Sequence, residues 1–385
     1  MNFTIERKAL VDALPRALAV IDRKGTIPIL EHFLLRASAD GLLVAATDMD
    51  RRIEIGVACR VEEPGAAAAP GRLLYDAVRS LPDGAEIRIR LDPAGDRLAV
   101  VAGRSRFRLP ILPVEEFPSF ETPDTGPFEI AARDLLHLLD RTHYAMSNEE
   151  TRYYLNGVYL HAVERGDWQL RAVATNGHVL ARADVPLPEA ADAMPPVIVP
   201  RQMVEILRDW LKAAPGDATA AVTVTDRLIR VEAPWLGQGA LGATVSSKLI
   251  DGDFPDYQRA IPTGGTTRVI VSADDLVAAA RRAVVAANAM KEGRAVKLAI
   301  ALAGNRAEIR ISGNSAQGAE AESAVDADLD GEALEVGFNA AYLAATVEAL
   351  ACDTVAIATN GPGDPARFEN PADDSVGAVV MPMRV

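Results

Sequence analysis

The spacing of apolar residues changes period at three places along the chain. Residues 3–14, 128–139 and 269–280 each begin with alternating apolar side chains and continue with Leu and Ala at helical spacing. A change of period from 2 to 3.6 predicts a short strand that runs into a helix. Ser272, with Asp275 three residues later, resembles a capping box and supports a helix start at the third place.

A helix followed by a strand also recurs three times. Helical spacing covers residues 70–81, 200–211 and 338–350. Alternating strand patterns follow the three helices and recur elsewhere, at residues 86–91, 220–225, 354–359, 42–46, 98–102, 170–174 and 228–232. The sequence therefore predicts three copies of one α+β unit, each with two helices and several short strands.

Segments rich in Pro and Gly separate the three copies. Residues 121–127 and 262–267 have the composition of linkers. The predicted domains are residues 1–122, 127–250 and 267–385, with 251–266 as a connector. Units of roughly 125 residues agree with the usual size of a domain.

Composition narrows the class of protein. Of the 385 residues, 49% are hydrophobic and 24% are charged, a balance typical of globular proteins. No apolar run reaches the ~20 residues of a membrane span, and charged residues near the N-terminus argue against a signal peptide. Cys59 and Cys352 are far apart and have no metal-ligand spacing. We expect a cytoplasmic protein without a disulfide framework.

The last seven residues, 379–385, form an apolar run with a single Arg and no acidic residue. Two interpretations are open. The run is either a final strand buried in the core or part of a groove where soft Met and Val side chains receive other proteins.

Several short strings, spread in order over the whole chain, carry a family resemblance. They are Thr-Ile-Pro-Ile-Leu at 26–30, Ala-Thr-Asp at 46–48, Gly-Arg-Ser-Arg-Phe at 103–107, Thr-Arg-Tyr-Tyr-Leu-Asn-Gly at 151–157, Ala-Thr-Asn-Gly-His-Val-Leu-Ala at 174–181, Phe-Pro-Asp-Tyr at 254–257 and Met-Pro-Met-Arg at 381–384. With the threefold unit, they resemble the bacterial DNA sliding clamps, the beta subunits of DNA polymerase III.

The resemblance implies an α+β fold of three DNA-clamp domains, each with two helices and about eight strands. It also implies a head-to-tail homodimer that closes a six-domain ring around double-stranded DNA, with helices lining the hole. The implied function is that of a processivity factor without catalytic chemistry. The implied partners are the DNA polymerase III alpha subunit, the clamp loader and repair polymerases.

Charge needs to be considered by position. The formal net charge of −14, taken as a sum, argues against nucleic acid, because phosphate binding requires a basic surface. The six candidate helices, at 6–24, 72–81, 133–141, 201–212, 274–282 and 339–350, nevertheless sum to about +3. A mildly basic set of helices within an acidic chain suits a ring that surrounds DNA without gripping it.

Expected DNA contacts follow from the resemblance. Arg152, Tyr153 and Tyr154 lie in a polar loop that faces DNA in the family, where an Arg can contact phosphate and aromatic rings can stack on bases. Residues at or near other DNA-facing basic positions are Lys24, Arg72 and Arg201. Packing of the tyrosines on a domain edge, and solvation of each cation, remain open alternatives.

The resemblance also implies a groove that binds short linear motifs of partner proteins. Its expected lining residues are Leu155, Thr175, Gly177, His178, Val179, Leu180, Pro255, Arg259, Val379, Val380, Met381, Pro382, Met383 and Arg384. Asn176 and Val179 stand where the family usually has Asp and Arg, and Ala260 replaces a larger apolar residue. A more apolar groove with altered motif preference is therefore expected, and a specialised paralogue remains an alternative to the main replicative clamp.

The expected subunit interface joins an edge strand of the first domain to the third domain. Its residues are Arg104, Arg106, Phe107, Val284, Val285, Glu320 and Glu322. An unpaired edge strand needs a partner; a basic edge kept soluble by its charge is the alternative.

Catalysis is the rival interpretation, with His178 as a general base. No nucleophile motif accompanies this histidine, and no phosphate-binding Gly-Lys-Ser/Thr loop occurs. Residues 251–256 lack the length and terminal Glu of a calcium loop and are expected to form a turn. We therefore expect no metal or cofactor.

Overall fold

The computed structural model describes residues 1–21, 26–238, 242–287, 295–303, 306–314 and 319–384. The chain forms two compact units. Unit 1 comprises Met1–Leu135, Pro188–Pro195 and Glu205–Leu249, and unit 2 comprises Leu136–Leu187, Pro196–Val204 and Ile250–Val385. None of the described helices has the length and apolar character that crossing a bilayer requires.

Two α-helices lie in each third of the described chain, as the period changes predicted. They are α1 (Arg7–Ala17), α2 (Gly71–Arg79), α3 (Ala132–Thr142), α4 (Arg201–Lys212), α5 (Ala273–Ala287) and α6 (Ala340–Leu350). At the start of α5, the Asp275 backbone N–H donates to Ser272 Oγ at 3.3 Å, which is half of the predicted capping box.

The strands repeat in the same way. The first third contains β1 (Asn2–Glu6), β2 (His32–Ser38), β3 (Gly41–Thr47), β4 (Arg51–Val57), β5 (Arg60–Glu63), β6 (Gly65–Pro70), β7 (Glu86–Leu91), β8 (Arg97–Ala102) and β9 (Ser105–Pro110). The second contains β10 (Phe128–Ala131), β11 (Gly157–Arg165), β12 (Asp167–Thr175), β13 (Val179–Pro186), β14 (Val197–Pro200), β15 (Thr219–Val224), β16 (Leu228–Glu232) and β17 (Ala243–Lys248). The last contains β18 (Thr267–Ser272), β19 (Ala295–Ala303), β20 (Arg306–Asn314), β21 (Glu320–Gly331), β22 (Leu334–Asn339), β23 (Thr354–Thr359), β24 (Ala366–Asn370) and β25 (Asp373–Val380).

Antiparallel pairing assembles these strands into sheets. Unit 1 holds a five-stranded sheet in the order β5-β1-β7-β8-β9 and an eight-stranded sheet in the order β10-β15-β16-β17-β4-β3-β2-β6. Unit 2 holds a twelve-stranded sheet in the order β14-β11-β12-β13-β25-β24-β23-β18-β21-β20-β19-β22. The expected α+β class and threefold repeat are confirmed.

The first helix is shorter than predicted. The expected span of 6–24 was wrong, because α1 ends at Ala17 and a 3-10 turn occupies Leu18–Val20. Pro15 lies inside α1, where it removes one backbone donor. Ile21 then adopts extended dihedrals of φ −78° and ψ 121°, which end the helical path.

Residues 150–155 also differ from expectation. The predicted polar loop is a 3-10 helix, Glu150–Leu155, with Arg152 at non-helical dihedrals. The side chain of Arg152, at this kink, lies beside Gly177 in the turn between β12 and β13.

Candidate functional site

A tight hairpin turn between β12 and β13 forms one wall of the candidate groove. Asn176 Oδ1 accepts hydrogen bonds from the backbone N–H groups of His178 at 2.9 Å and Val179 at 3.0 Å. Thr175 Oγ1 donates to the Val179 carbonyl at 2.8 Å and accepts from the Gly177 N–H at 3.2 Å. An amide oxygen thus makes the turn contacts that the family's usual Asp carboxylate could make. With Asn at position 176 in place of the family's usual Asp, the turn's backbone N–H groups keep their hydrogen-bond acceptor.

Strand pairing brings the end of the chain to this hairpin. In the antiparallel register of β13 and β25, Val179 lies opposite Val380 and Leu180 opposite Val379. The Met381 N–H then donates to the His178 carbonyl at 2.9 Å. The sequence pattern alone left two interpretations of the last residues open, and the interpretation as a buried final strand holds for Val379 and Val380, the last two residues of β25.

Burial divides the tail at the end of β25. Val379 is 4% exposed and Val380 is inaccessible, so both belong to the core, whereas Met381 and Met383 are each 41% exposed. Of the predicted lining, Val179 is also almost fully buried. The valines therefore support the groove from beneath, and the two methionines supply its adaptable surface.

An apolar cluster forms the floor beside the hairpin. Val173, Leu180, Tyr257 and Val379 are buried together. Partly buried aromatic and aliphatic residues pack against this cluster, namely Tyr159, Phe254 and Ile261. Leu155 is 4% exposed. The floor has the apolar composition of a protein core, and such a surface favours docking of apolar side chains.

The connector contributes aromatic residues that sequence reasoning missed. Pro255 and Arg259 were predicted, and both are exposed, with Arg259 paired to Asp256 at 2.9 Å. The buried connector residue is instead Tyr257. The Phe254 ring stacks on Tyr159 with centroids 4.8 Å apart. Phe254 and Tyr257 are three residues apart in a segment rich in Pro and Asp, and this spacing gave little signal that they face inward.

Helix α6 adds a further aromatic residue that was not predicted, Tyr342. The His178 and Tyr342 rings stack with centroids 6.2 Å apart and an interplanar angle of 18°. Tyr342 is held in the first turn of α6, where its N–H and that of Ala341 donate to the Asn339 side chain. His178 is thus a wall residue stacked on an aromatic ring, and the described residues around it supply no nucleophile contact.

A buried polar network lies behind the connector tyrosine. Asp184 accepts a bidentate ion pair from Arg171 at 2.6 and 2.8 Å and a further bond from Arg182 at 2.8 Å. Arg171 also donates to Tyr257 Oη at 3.3 Å, and Tyr257 Oη lies 3.1 Å from His161 Nε2. The network therefore fixes the tyrosine that forms part of the groove floor.

Burial sets the protonation of this network. It lowers the pKa of His161, so the neutral ring is favoured. Hydrogen on Nδ1, which lies 3.0 Å from the Ala162 carbonyl, leaves Nε2 free to accept from Tyr257. Burial opposes the charge of Arg171, but its bonds with Asp184 and Tyr257 raise the pKa of Arg171 overall.

Arg152 lies beside the hairpin turn. It pairs with Glu149 at 2.7 Å. A Cβ built on Gly177 would lie 2.8 Å from Arg152 Nη1, so the missing side chain permits this approach. Gly177 also has a φ of +87°, a conformation that favours glycine. A residue predicted to contact DNA therefore also contacts the groove wall.

The neighbouring tyrosines differ in exposure. Tyr153 is 53% exposed, and Tyr154 is half-buried, with the two ring centroids 5.8 Å apart in an edge-to-face arrangement. A Cβ on Gly252 would lie 3.1 Å from Tyr154 Cβ, so the connector approaches the tyrosines closely. Tyr153 is available to an external ligand and Tyr154 serves packing as well.

The remaining predicted DNA contacts have different surroundings. Arg72 is exposed on α2, 3.6 Å from Asp76. Arg201 donates through Nη2 to the Met146 and Ser147 carbonyls at 2.8 and 3.0 Å, so it holds a loop at the start of α4. Lys24 lies outside the described residues. The six helices carry about +3 within their observed bounds also.

The predicted interface residues lie on accessible positions. Strand β9 is an edge of the five-stranded sheet, with Arg106 exposed and Phe107 half-buried on it and the exposed Arg104 just before it. Val285 on α5 is 77% exposed. The other three predicted residues are the half-buried Val284 and the exposed Glu320 and Glu322. Across the described ranges, no group of three His, Cys, Asp or Glu side chains could hold a metal ion.

The threefold α+β repeat and its apolar groove define a scaffold protein of the DNA-clamp type. Family models for the N-terminal, central and C-terminal domains of the DNA polymerase III beta subunit match residues 1–121, 129–256 and 258–384. Curated relatives named beta sliding clamp are 40% identical in Caulobacter vibrioides and 32% identical in Escherichia coli, each over the full length of both chains.

Solved structures agree with the sequence relatives. The Caulobacter crescentus beta subunit has a TM-score of 0.89 at 38% identity, and each chain is covered completely. A Bartonella birtlesii sliding clamp bound to griselimycin has a TM-score of 0.92 at 35% identity, again with complete coverage. The chain belongs to the DNA polymerase III beta subunit family. Its function is that of a DNA sliding clamp, a processivity factor in replication.

Proposed function

We propose that two copies of the chain join head to tail into a ring around double-stranded DNA. The observation that carries this proposal is the way successive repeats pair within one chain. Strand β4 of the first repeat pairs with β17 of the second, and β13 of the second pairs with β25 of the third. In the third repeat, β21 corresponds to β4 and β13. In a first repeat, β9 corresponds to their partners β17 and β25, so β21 of one copy would pair with β9 of the other.

The internal pairs also predict the register of the missing junction. The strand that precedes the second helix of each repeat ends at Pro70, Pro200 and Asn339. Following the ladders from these residues makes Arg52, Leu180 and Glu320 equivalent.

A second set of ladders starts at the strands that open the repeats. Following them from Phe3, Phe128 and Val269 makes Phe107, Val245 and Ala378 equivalent. The next residues along the three strands, Arg108, Ser246 and Val379, are therefore equivalent too. Because Arg52 lies opposite Ser246 and Leu180 opposite Val379, Glu320 of one copy is expected opposite Arg108 of another.

Charge supports this register. Moving along both strands by two residues sets Glu322 opposite Arg106, and all four side chains are exposed in the single chain. Residues directly opposite in an antiparallel pair share one face, and opposite charges there are favourable. Two acidic residues on β21 thus face two basic residues on β9, with Phe107 opposite Ala321 between them.

The three domains are proposed as residues 1–122, 127–250 and 267–385, with 251–266 as connector. The three family models, at residues 1–121, 129–256 and 258–384, support the division into three domains, although the second and third models meet inside the proposed connector. DNA is proposed to lie against the helices and to meet Lys24, Arg72, Arg152, Tyr153, Tyr154 and Arg201. A charge of about +3 on the helices is too small for tight phosphate binding, so retention on DNA is topological.

The groove is proposed to bind linear motifs of the DNA polymerase III alpha subunit, the clamp loader and repair polymerases. Apolar anchors of a motif would pack on the floor around Leu180 and Tyr257 and against the exposed methionines 381 and 383. Polar groups of the motif would bond to the backbone of the 175–180 turn. A valine at 179 removes a cation from the wall and favours apolar motifs.

We propose that the chain has no catalytic chemistry or cofactor of its own and acts in the cytoplasm. Its mechanism consists of ring closure, sliding and docking. The test is retention on nicked circular DNA after loading by the clamp loader with ATP, measured before and after the circle is cut. We expect retention on circles and loss from linear DNA. Equal retention on both would mean ordinary surface binding and would overturn the ring.

A further inference from the structure

Two connectors of the chain share a short sequence. Phe-Pro-Ser-Phe occurs at 117–120 and Phe-Pro-Asp-Tyr at 254–257, and acidic residues precede each first phenylalanine directly. No third copy of Phe-Pro-x-aromatic occurs in the sequence, although the α+β unit occurs three times. The third repeat should therefore contain a surface equivalent to the two that these connectors cover. The sequence has no third Phe-Pro-x-aromatic segment to cover it.

Strand register identifies the three equivalent surfaces. In each repeat, we take the residue two positions before the end of the strand that precedes the second helix. This residue and the residues opposite it on the next two strands form a row of three. The first row is Ala68–Leu34–Ala45, the second row is Ile198–Tyr159–Val173, and the third row is Gly337–Lys297–Ser312.

The same backbone contact brings the following segment to each row. The N–H of Leu112 donates to the Ala68 carbonyl at 3.0 Å, and that of Ile250 donates to the Ile198 carbonyl at 3.0 Å. The N–H of Met383 donates to the Gly337 carbonyl at 2.8 Å. The segment that follows each repeat's sheet is thus attached to its row by the same backbone hydrogen bond.

Connector aromatics cover the first two rows. Phe117 is buried with Leu34, Ala45 and Ala68, and the Arg52 guanidinium lies 5.6 Å from its ring centroid. In the second repeat, the Phe254 ring stacks on Tyr159. Tyr257 is buried in the cluster that contains Val173. The first row is therefore covered by the first aromatic residue of an acidic Phe-Pro segment, and the second row by both aromatic residues.

The third row lines an open cleft of about 890 Å³. Its other lining residues are Ala295, Glu335, Pro362, Gly363, Pro382, Met383 and Arg384. Lys297 Nζ lies 3.4 Å from Glu335. Glycine stands where the other rows have Ala68 and Ile198, which leaves space that a ring could fill.

We propose that this third-row cleft binds a segment of a partner protein in which an acidic residue precedes Phe-Pro-x-aromatic. The first ring would lie over Gly337 and the alkyl stem of Lys297. The Lys297 ammonium and the Arg384 guanidinium would meet the acidic residue, because they outnumber Glu335 among the charged lining groups. The site shares residues 382–384 with the proposed motif groove but is built on β19, β20 and β22, so the inference goes beyond that groove.

The probe for this site is a fluorescein-labelled peptide with the sequence of residues 111–120. Fluorescence anisotropy is measured as the full-length protein is added. We expect saturable binding with a Kd of roughly 0.1–1 mM, typical of a short peptide without a tether. Replacing both phenylalanines of the peptide by alanine should abolish the signal. Lys297→Glu in the protein should weaken binding about tenfold.

Lys248→Glu is the matched control. Lys248 also pairs with a carboxylate, Asp50, at 3.0 Å, but it belongs to unit 1, whereas the third row belongs to unit 2. We expect this variant to bind the peptide as the parent protein does. Equal weakening by both variants would mean a general charge effect and would overturn the assignment.

Two further outcomes would also refute the proposal. Absence of saturable binding at millimolar protein would show that the third row does not receive this chemistry. Loss of peptide binding in Met381→Ala, with Lys297→Glu unaffected, would place the peptide in the motif groove. Because binding of polymerase motifs is measured separately on the same variants, failure of the cleft leaves the clamp function intact.

Discussion

Charge reversal at the proposed junction tests both the ring and its register. In the expected pairing, Arg106 faces Glu322 and Arg108 faces Glu320 of the second copy. An exposed cross-strand charge pair contributes roughly 0.2–1 kcal/mol, and like charges cost a similar amount. Arg106→Glu should therefore weaken one junction by about 0.4–2 kcal/mol. A closed ring contains the altered pair twice, which gives about 0.8–4 kcal/mol for the dimer, or roughly a 4- to 900-fold rise in its dissociation constant.

Sedimentation velocity over a dilution series measures this dissociation constant. Register is read from the rescue pattern. Glu322→Arg should restore the dimer of Arg106→Glu but not that of Arg108→Glu, and Glu320→Arg should do the reverse. Effects should shrink in 1 M salt, because exposed charges are screened.

Unchanged dimerisation in Arg106→Glu and Arg108→Glu would refute the electrostatic reasoning. If Glu320→Arg rescued Arg106→Glu and Glu322→Arg rescued Arg108→Glu, the register would be refuted. The two strands would remain partners. Measurement of the thermal unfolding of each variant at the same protein concentration separates loss of assembly from loss of folding.

Three further substitutions or conditions test the groove and its support. Gly177→Ala should destabilise the protein by about 1–2 kcal/mol because of its positive φ, and should weaken motif-peptide binding in fluorescence anisotropy about fivefold. Gly166→Ala has a similar φ of +75° with nothing near its Cβ, so it should lower stability but leave binding unchanged. Arg171→Met removes the bidentate partner of buried Asp184 and should lower the urea-derived free energy of unfolding by about 2–4 kcal/mol, with partial recovery in the lysine variant. Burial lowers the pKa of His161, so stability should fall as pH drops below its unfolded value of about 6.5, and His161→Gln should reduce that dependence.

Each of these expectations has a clear contrary result. Equal loss of peptide affinity in both glycine variants would mean that the loss comes from backbone strain in general and not from the position of Gly177 in the groove wall. Full stability of Arg171→Met would mean that the remaining arginines suffice to neutralise the buried carboxylate. For His161, the folded state holds the neutral ring and the unfolded state takes up a proton first. An identical pH profile in the glutamine variant would assign the acid sensitivity to other groups.

The threefold repeat could be predicted because it depends on local patterns. A change in apolar period marks the start of α1, α3 and α5, and the same pattern recurs after each linker. The end of α1 was within reach of the same reasoning, since Pro15 is visible in the sequence, yet the apolar spacing beyond it suggested a longer helix. The helix in fact continues past Pro15 to Ala17, and the path turns extended only at Ile21, which the apolar spacing did not indicate.

The groove could be predicted only in part, because its walls come from distant segments. The turn at 175–180 and the tail were found through their sequence strings. The stacking of Tyr342 on His178 depends on where α6 packs, and the bonds from Arg201 to the Met146 and Ser147 carbonyls depend on a loop far away in sequence. Neither contact leaves a periodic or compositional signal.

The two connectors in their rows are, in effect, ligands that the protein carries with it. A covalent tether of a few residues presents such a segment at an effective concentration in the millimolar range. Phe117 and Phe254 can therefore remain bound even where the isolated segment would bind weakly. A free segment for the third row has no such tether, so it would gain useful avidity only on a partner already held elsewhere on the clamp. The bare third row would thus select for bivalent partners.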